Sequence, residues 1–404
     1  IEICIFYQKL FMEVLHMLTF LSKIFIKNRE STHIPEVRQA YGILSGSVGI
    51  FFNILLFTAK FFAGTISHSI AITADAFNNL SDAGSSIITL IGFKMAGQKP
   101  DSGHPFGHGR IEYLSGLAVS AAILIMAIEL LKTSFEKLLH PQDIVFSPII
   151  VAILISSILV KCYMFLYNRS ISKKIQSEAM MATATDSFSD TLATTVVLIT
   201  TLIAHFTGLK LDGICGILVG IFILYSGIVS ARNTLNPLLG QAPDPDFVNQ
   251  INTLVLSYDN IIGIHDLIVH NYGPGRIMIS LHAEVPAEGN VLELHDMIDN
   301  IERTLRNKLR CDAVIHMDPV CTNDPQVVSM KEIITGFLAD IDVNLCIHDF
   351  RIVKGPTHTN FIFDIVIPYH FKISDQTVCS QMEEKIKSLN PNYFAVINID
   401  KKLS

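Results

Sequence analysis

Two stretches of the chain decide its fold: ITADAFNNLSDAGSS at residues 72–86 and MATATDSFSDTLATT at residues 181–195. Each lies in an apolar run long enough to cross a lipid bilayer as a helix, which takes about 20 residues. Each nevertheless carries two polar residues four positions apart: Asn78 with Asp82, and Asp186 with Asp190. Four residues is just over one helical turn, so each pair projects from one face of its helix.

The composition agrees with a membrane protein. Of the 404 residues, 50% are hydrophobic and only 17% are charged, against about 25% charged in a typical soluble protein. This disfavours a wholly soluble enzyme and excludes a disordered or fibrous chain. The net charge of −7 gives no general attraction to nucleic acid. The seven cysteines form no CxxC pair, so neither a disulfide framework nor a thiolate zinc site is predicted.

Six apolar runs reach the spanning length: roughly 43–66, 69–95, 111–131, 145–167, 180–206 and 212–231. The segment 1–26 is also apolar but is interrupted by charges, so we expect a helix at the membrane surface or in the cytosol. It lacks the cleavage site of a signal peptide.

Basic residues flanking the spans indicate the orientation, because lysine and arginine stay on the cytoplasmic side. They cluster before the first span and in two connections: Lys23, Lys27, Arg29 and Arg38; then Lys94, Lys99 and Arg110; then Lys161, Arg169, Lys173 and Lys174. This predicts a multi-pass protein of the cell membrane with both termini in the cytoplasm.

The C-terminal part contains an internal repeat. IHDLIVHNYGPGRIMISLHAEV from Ile264 is echoed by IHDFRIVKGPTHTNFIFDIVI from Ile347, and AVIHMD ending at Asp318 by AVINID ending at Asp400. Each copy is predicted to be a small ferredoxin-like α+β layer. The predicted domains are therefore an N-terminal segment, a six-helix transmembrane domain and two cytosolic α+β repeats: residues 1–40, 41–235, 236–325 and 326–404.

The polar residues inside the spans predict a cation site. An ionised carboxylate in a span costs at least about 2.5 kcal/mol, and three together repel one another. A divalent cation offsets that repulsion if the two helices face each other. Alternatively, these residues cap helix breaks or hydrogen-bond between helices. Asp75 is either an outer ligand through which ions enter or a residue near the far membrane surface.

The motifs resemble those of the cation diffusion facilitators, proton-coupled exporters of divalent metal ions with six spans and a cytosolic C-terminal domain. The resemblance covers roughly residues 31–319. It rests on HSIAITADAFNNLSDAGSS, KPDSGHPFGHGRIEYLSG, DSFSDTLATT and the stretch from IHDL to IHMDP. It implies a transport site of Asn78, Asp82, Asp186 and Asp190, dimerisation through the cytosolic domain, and no enzymatic activity.

The resemblance also bears on the metal. Zinc-selective members typically have a histidine where this chain has Asp186, and all four ligands here are oxygen donors, which suit Mn²⁺. The pattern resembles the manganese-exporting branch, with Fe²⁺, Zn²⁺ and Co²⁺ as lesser cargoes and the three aspartates as proton carriers. A zinc- or iron-selective exporter is the alternative, followed by a membrane-tethered metal sensor and an intramembrane aspartyl protease.

The family carries further metal ligands outside the spans. Asp101, His104 and His108 match its loop site, unless the loop is only hydrogen-bonded to the cytosolic ends of the helices. The positions that match its cytosolic ligands are His265, His282, His295, His316 and Asp318, unless these are ordinary core or surface residues. In the second copy Asp364 and Asn398 replace two histidines, so that copy is either a structural support or an additional sensor.

Overall fold

The computed structural model describes residues 22–32, 34–66, 70–140, 147–209, 211–321, 323–368 and 371–402. The chain divides into two compact units. The first runs to Gln241 and also takes in Tyr272–Arg276, and the second comprises Ala242–Asn271 and Ile277–Ser404. The surface helix predicted within residues 1–26 lies outside the described residues up to position 21.

Among the described residues, the first unit has six long helices: α1 Pro35–Ile66, α2 Ile70–Ala96, α3 Ile111–Leu139, α4 Pro148–Ile175, α5 Glu178–Thr207 and α6 Asp212–Leu235. Within the described ranges, five of them, all except α2, are long and apolar enough to span a membrane. Helix α2 has 27 residues, which is long enough, but it carries the polar residues of the candidate cation site. Its lower apolarity is therefore the consequence of the site it bears.

The surface of this unit is as apolar as a lipid-facing surface must be. Phe51 on α1, Ile125 on α3 and Leu218 on α6 are 63%, 67% and 64% exposed. Large apolar side chains exposed along several long helices mark a membrane-facing surface. The helices therefore turn many large apolar side chains outward, while others such as Phe93 and Met164 are buried between them.

Local signals set the short link between α4 and α5. Helix α4 ends at Ile175, and the next residue, Gln176, has a φ of 48°, which is in the left-handed region. Ser177 follows as the N-cap of α5, and its side chain accepts a hydrogen bond from the N–H of Met180. A left-handed C-terminal residue followed by a serine N-cap is a common way to end one helix and begin another.

The second unit contains two repeats of the same order. The first is α7 Pro245–Val255, β1 Gly263–Asn271, β2 Ile277–Pro286, α8 Val291–Leu309 and β3 Cys311–Val320; the second is α9 Pro325–Ala339, β4 Cys346–Lys354, β5 Thr359–Pro368, α10 Asp375–Leu389 and β6 Tyr393–Lys402. In each sheet the first two strands are antiparallel and the last two parallel, in the orders β1-β2-β3 and β4-β5-β6.

The two repeats agree even in their irregularities. The β1–β2 register breaks after His265, and the β4–β5 register breaks after His348. Asp266 and Asp349, the next residues, both have a φ of 52°, which is uncommon for a residue other than glycine. Each repeat also has its own buried apolar core. The sequence prediction of a helical membrane domain followed by a duplicated α+β domain describes this architecture.

Candidate functional site

Three carboxylates from two helices meet inside the first unit. Asp82 lies on α2, and Asp186 and Asp190 lie on α5. One oxygen of each lies within 4.8 Å of an oxygen of the other two. Asp82 and Asp186 are buried, and Oδ1 of Asp186 has no hydrogen-bond partner. The structure thus brings together three of the four side chains that the sequence pattern selected.

Lys161 completes this cluster, and the sequence interpretation of Lys161 was wrong. That interpretation counted it among the cytoplasmic charges flanking a span, but it lies in the interior of α4 and is 3% exposed. Its Nζ donates to Oδ2 of Asp82 at 2.6 Å and to Oδ2 of Asp190 at 2.6 Å. The available signal was its position well inside an apolar run, where a lysine needs an acidic partner.

Asn78 and Asp75 occupy the preceding turns of α2. Asn78 is exposed, and its role as fourth ligand stays a prediction. Its neighbour Asn79 is buried and donates a hydrogen bond to the carbonyl oxygen of Asp75 at 2.9 Å. The carboxylate of Asp75 forms an ion pair of 2.8 Å with the buried Lys60 of α1. Asp75 therefore has a cationic partner of its own, and its role as an outer ligand also stays a prediction.

Hydroxyl groups fix the helices that carry the carboxylates. The Oγ1 atoms of Thr89 on α2 and Thr183 on α5 are 3.0 Å apart and hydrogen-bonded. Asn53 on α1 donates to Oγ of Ser86 on α2 at 3.3 Å. Small and polar side chains at such interfaces allow close approach and hydrogen bonding between helices in a membrane. The hydrogen bond between Thr89 and Thr183 therefore helps to hold α2 and α5 side by side, as the site requires.

A buried ion pair joins the beginnings of three elements. Glu112 of α3 receives two hydrogen bonds from the guanidinium of Arg38 on α1, at 2.6 Å and 3.1 Å. Ser177, the N-cap of α5, donates to the same carboxylate at 2.5 Å. Sequence reasoning missed this network, because Arg38 and Ser177 are 74 and 65 residues away from Glu112 along the chain. It ties α1, α3 and the α4–α5 link together at one end of the helices.

The loop between α2 and α3 brings its three predicted ligands together. Asp101, His104 and His108 offer ligand atoms within 4.8 Å of one another. Oδ1 of Asp101 accepts hydrogen bonds from the backbone N–H groups of His104 and Gly103, and these hold the pKa of Asp101 below its usual range. Nδ1 of His108 is buried and has no hydrogen-bond partner. The group can therefore bind a metal ion, and its occupancy stays a prediction.

The first repeat gathers four of its five predicted ligands. Oδ2 of Asp318 lies 3.1 Å from Nε2 of His265 and 2.8 Å from Nδ1 of His282. His316 lies 3.3 Å from the other oxygen of Asp318. His295 does not join them: it lies exposed on α8, and its Nδ1 is 3.6 Å from Asp299. Its role as a ligand stays a prediction that the geometry of this single chain does not support.

The second repeat has a related cluster that the sequence analysis left undecided. His348, Asp364 and Asp400 offer ligand atoms within 4.8 Å of one another. Burial, followed by the negative charges of Asp266 and Asp364, raises the pKa of the Asp400 carboxyl. The replacement of two histidines has therefore left a cluster that is richer in carboxylates and still contains one imidazole.

Family models and known proteins match the two units. A model of the cation efflux transmembrane domain matches residues 47–239, and a model of the cation efflux protein cytoplasmic domain matches residues 243–320. An uncharacterized transporter of Methanocaldococcus jannaschii is 35% identical over 271 residues, which cover 66% of this chain and 95% of that protein.

Two bacterial relatives are named as cation-efflux pumps. The cation-efflux pump FieF of Escherichia coli is 28% identical over 287 residues, covering 70% of this chain and 95% of that protein. The protein of the same name from Yersinia enterocolitica is 28% identical over 266 residues, covering 66% of this chain and 88% of that protein. Almost the full length of such relatives is thus accounted for by about two thirds of this chain.

Proposed function

Because the chain belongs to the cation diffusion facilitator family, whose members transport divalent cations, we propose that it exports Mn²⁺ from the cytosol in exchange for protons. The observation that carries this proposal is the all-oxygen carboxylate cluster of Asp82, Asp186 and Asp190 between two long helices. Hard oxygen ligands without imidazole or thiolate favour Mn²⁺ over softer ions. Fe²⁺, Zn²⁺ and Co²⁺ are the further cargoes. Family membership makes the chain a transporter and not an intramembrane protease.

The charges of the cluster suggest how transport proceeds. Three carboxylates and the single ammonium of Lys161 leave an excess of two negative charges when all are ionised. One divalent ion balances that excess, and protons replace it after the ion has left. The cluster then faces the cytosol and the exterior in turn, as alternating access requires. Asn78, one turn before Asp82, supplies a fourth oxygen to the ion.

The setting of the transporter follows from the same family. We place it in the cell membrane with both termini in the cytoplasm, as a homodimer that assembles through the domain matched at residues 243–320. The basic residues before α1 and near the C-terminal end of α4, which are Arg169, Lys173 and Lys174, support this orientation. The helices of the membrane domain are embedded in the lipid bilayer, and the divalent ion is the substrate.

Substitution of Asp186 by asparagine tests the proposal in proteoliposomes that contain a pH-sensitive dye. We expect Mn²⁺ flux to fall by about tenfold or more, because the cluster loses one charged ligand at a buried position. The matched control is Asp212→Asn, at the first residue of α6, where the carboxylate pairs with Lys137 at 3.7 Å. The control should transport as the unaltered protein does.

Four outcomes would contradict parts of the proposal. Undiminished flux in Asp186→Asn would refute the site, and Mn²⁺ flux indifferent to an imposed pH gradient would refute proton exchange. Flux of Zn²⁺ or Fe²⁺ that exceeds Mn²⁺ flux under the same gradient would favour the zinc- or iron-selective exporter. Binding of metal without any flux would favour the membrane-tethered sensor.

A further inference from the structure

The two cytosolic repeats meet at a pair of stacked histidines. The rings of His265 on β1 and His348 on β4 are stacked, with centroids 4.1 Å apart and an interplanar angle of 25°. Both residues are the third of their strand and both precede the same register break. The backbone N–H of Asp349 also points across the junction, 3.4 Å from Oε1 of the buried Glu284. Equivalent positions of the two copies therefore face one another.

The pair is buried and incompletely hydrogen-bonded. The side chains of His265 and His348 are 6% and 10% exposed. Nδ1 of His348 has no hydrogen-bond partner, and Nε2 of each ring faces a carboxylate oxygen without the geometry of a hydrogen bond. Buried polar groups in native proteins nearly always have such a partner, and one left without it calls for an explanation such as a bound ion.

A carboxylate lies beside each imidazole on its Nε2 side. Nε2 of His265 is 3.1 Å from Asp318, and Nε2 of His348 is 3.0 Å from Asp400. Metal-binding histidines usually have an outer carboxylate on one ring nitrogen, which orients the ring and leaves the other nitrogen for the metal. The other nitrogen of His265, Nδ1, lies 3.3 Å from Oδ2 of Asp266.

Asp266 completes a ligand set that draws on both repeats. Ligand atoms of His265, Asp266 and His348 all lie within 4.8 Å of one another. The left-handed backbone of Asp266 follows the register break and places its side chain beside His265. Two imidazoles and a carboxylate suit Zn²⁺ and similar transition-metal ions.

We propose that a divalent transition-metal ion binds at the junction of the two cytosolic repeats, held by His265 and Asp266 of the first and His348 of the second. The ion links the two repeats, and the second repeat contributes His348 as a ligand. The first-repeat cluster of His265, His282, His316 and Asp318 also uses His265, but the proposed ion binds Nδ1 of that ring, whereas Asp318 lies on its Nε2 side. The proposed site is also independent of the transport proposal, since none of its ligands lies in the membrane unit.

Zn²⁺ binding to the full-length protein in detergent tests the proposal. After removal of metal with a chelator, equilibrium dialysis and elemental analysis give the number of Zn²⁺ ions per chain. We expect Asp266→Asn and His348→Gln each to lose one equivalent relative to the unaltered protein, and the double variant to lose no more than either. Asparagine tolerates the left-handed backbone of Asp266, so this variant keeps the local fold.

The control variant is His358→Gln, an exposed histidine in the turn between β4 and β5 that belongs to none of these groups. It should bind as much Zn²⁺ as the unaltered protein. Zn²⁺ should also raise the unfolding temperature, and by less in Asp266→Asn and His348→Gln than in the control. Each variant should unfold cooperatively without metal, which shows that it is folded before its Zn²⁺ content is compared with that of the unaltered protein.

Three results would overturn the proposal. Loss of an equivalent in His348→Gln but not in Asp266→Asn would show an ion held by Asp364 and Asp400 within the second repeat. Full Zn²⁺ binding in both variants would show that no ion binds at the junction. Loss of two equivalents in the double variant would likewise mean separate sites in place of a shared one.

Discussion

At the scale of single residues, the decisive feature is a lysine among three aspartates. The Nζ atom of Lys161 lies 2.6 Å from each of two carboxylates and occupies the kind of position that a transported cation would take. Two unit charges about 4 Å apart interact by about 4 kcal/mol at an effective dielectric constant of 20. We therefore propose that Lys161 competes with the incoming metal and keeps the site from holding its ion too tightly.

Substitution of Lys161 by glutamine should accordingly tighten Mn²⁺ binding by about tenfold or more, which corresponds to about 1.4 kcal/mol. Turnover in proteoliposomes should fall, because the ion leaves more slowly. The free Mn²⁺ signal in electron paramagnetic resonance measures the affinity. Lys137→Gln is the control, since Lys137 pairs with Asp212 and belongs neither to the cluster nor to the predicted ligands. Equal Mn²⁺ affinity of Lys161→Gln and the unaltered protein would make Lys161 a structural residue only.

At the scale of elements, the contact between α1 and α2 depends on the absence of side chains. A Cβ atom at Gly46 would lie 2.7 Å from Cβ and 3.0 Å from Cα of Leu90 on α2. Backbone atoms cannot move aside without separating the helices. Helix α2 also carries Asp82, so the contact between Gly46 and Leu90 helps to position this carboxylate relative to α5. A substitution that separates α1 from α2 should therefore also move Asp82 within the site.

Gly46→Ala should therefore destabilise the protein by about 1–3 kcal/mol, as overpacking does, and should reduce Mn²⁺ flux. Gly84→Ala on α2 is the matched control, since a Cβ atom there meets nothing within 4 Å. Alanine at such a helical position stabilises by about 0.5–1 kcal/mol. Thermal unfolding in detergent and flux in proteoliposomes measure both variants. If Gly46→Ala unfolds at the same temperature as Gly84→Ala, the two helices do not depend on this contact.

At the scale of the whole molecule, the second repeat makes this chain longer than the relatives that it matches. Relatives aligned over 95% of their length account for 66–70% of this chain. The two repeats have separate buried cores, one around Leu281 and Ile301 and the other around Phe363 and Met382. Separate cores allow each repeat to keep its own apolar packing without the other.

A chain that ends at Asn323 should therefore keep its fold and its Mn²⁺ transport. It should lose one equivalent of Zn²⁺, because His348 is absent. Flux in proteoliposomes and Zn²⁺ analysis of the purified truncated protein check the two parts. Loss of transport with intact membrane insertion would mean that the second repeat takes part in the transport cycle.

The candidate site was predictable as far as its pattern is local. The spacing of Asp186 and Asp190 places both on one helical face, and the structure shows their carboxylates beside that of Asp82. The role of Lys161 was not predictable in this way, because its partner aspartates are 79 and 29 residues away along the chain. Its position relative to a flanking loop suggested a surface charge, whereas the packing of α4 buries it.

By itself, then, the sequence determined the membrane helices, the repeated α+β units and the acidic pairs, because apolar run length, strand alternation and helical spacing are properties of neighbouring residues. The tertiary structure alone decided that Lys161 bridges Asp82 and Asp190, and that His348 stacks on His265. These contacts join residues distant in the chain, and such distances depend on how helices pack and how the two repeats meet. The physical reason is that charge and metal affinity act through space, over a few ångströms.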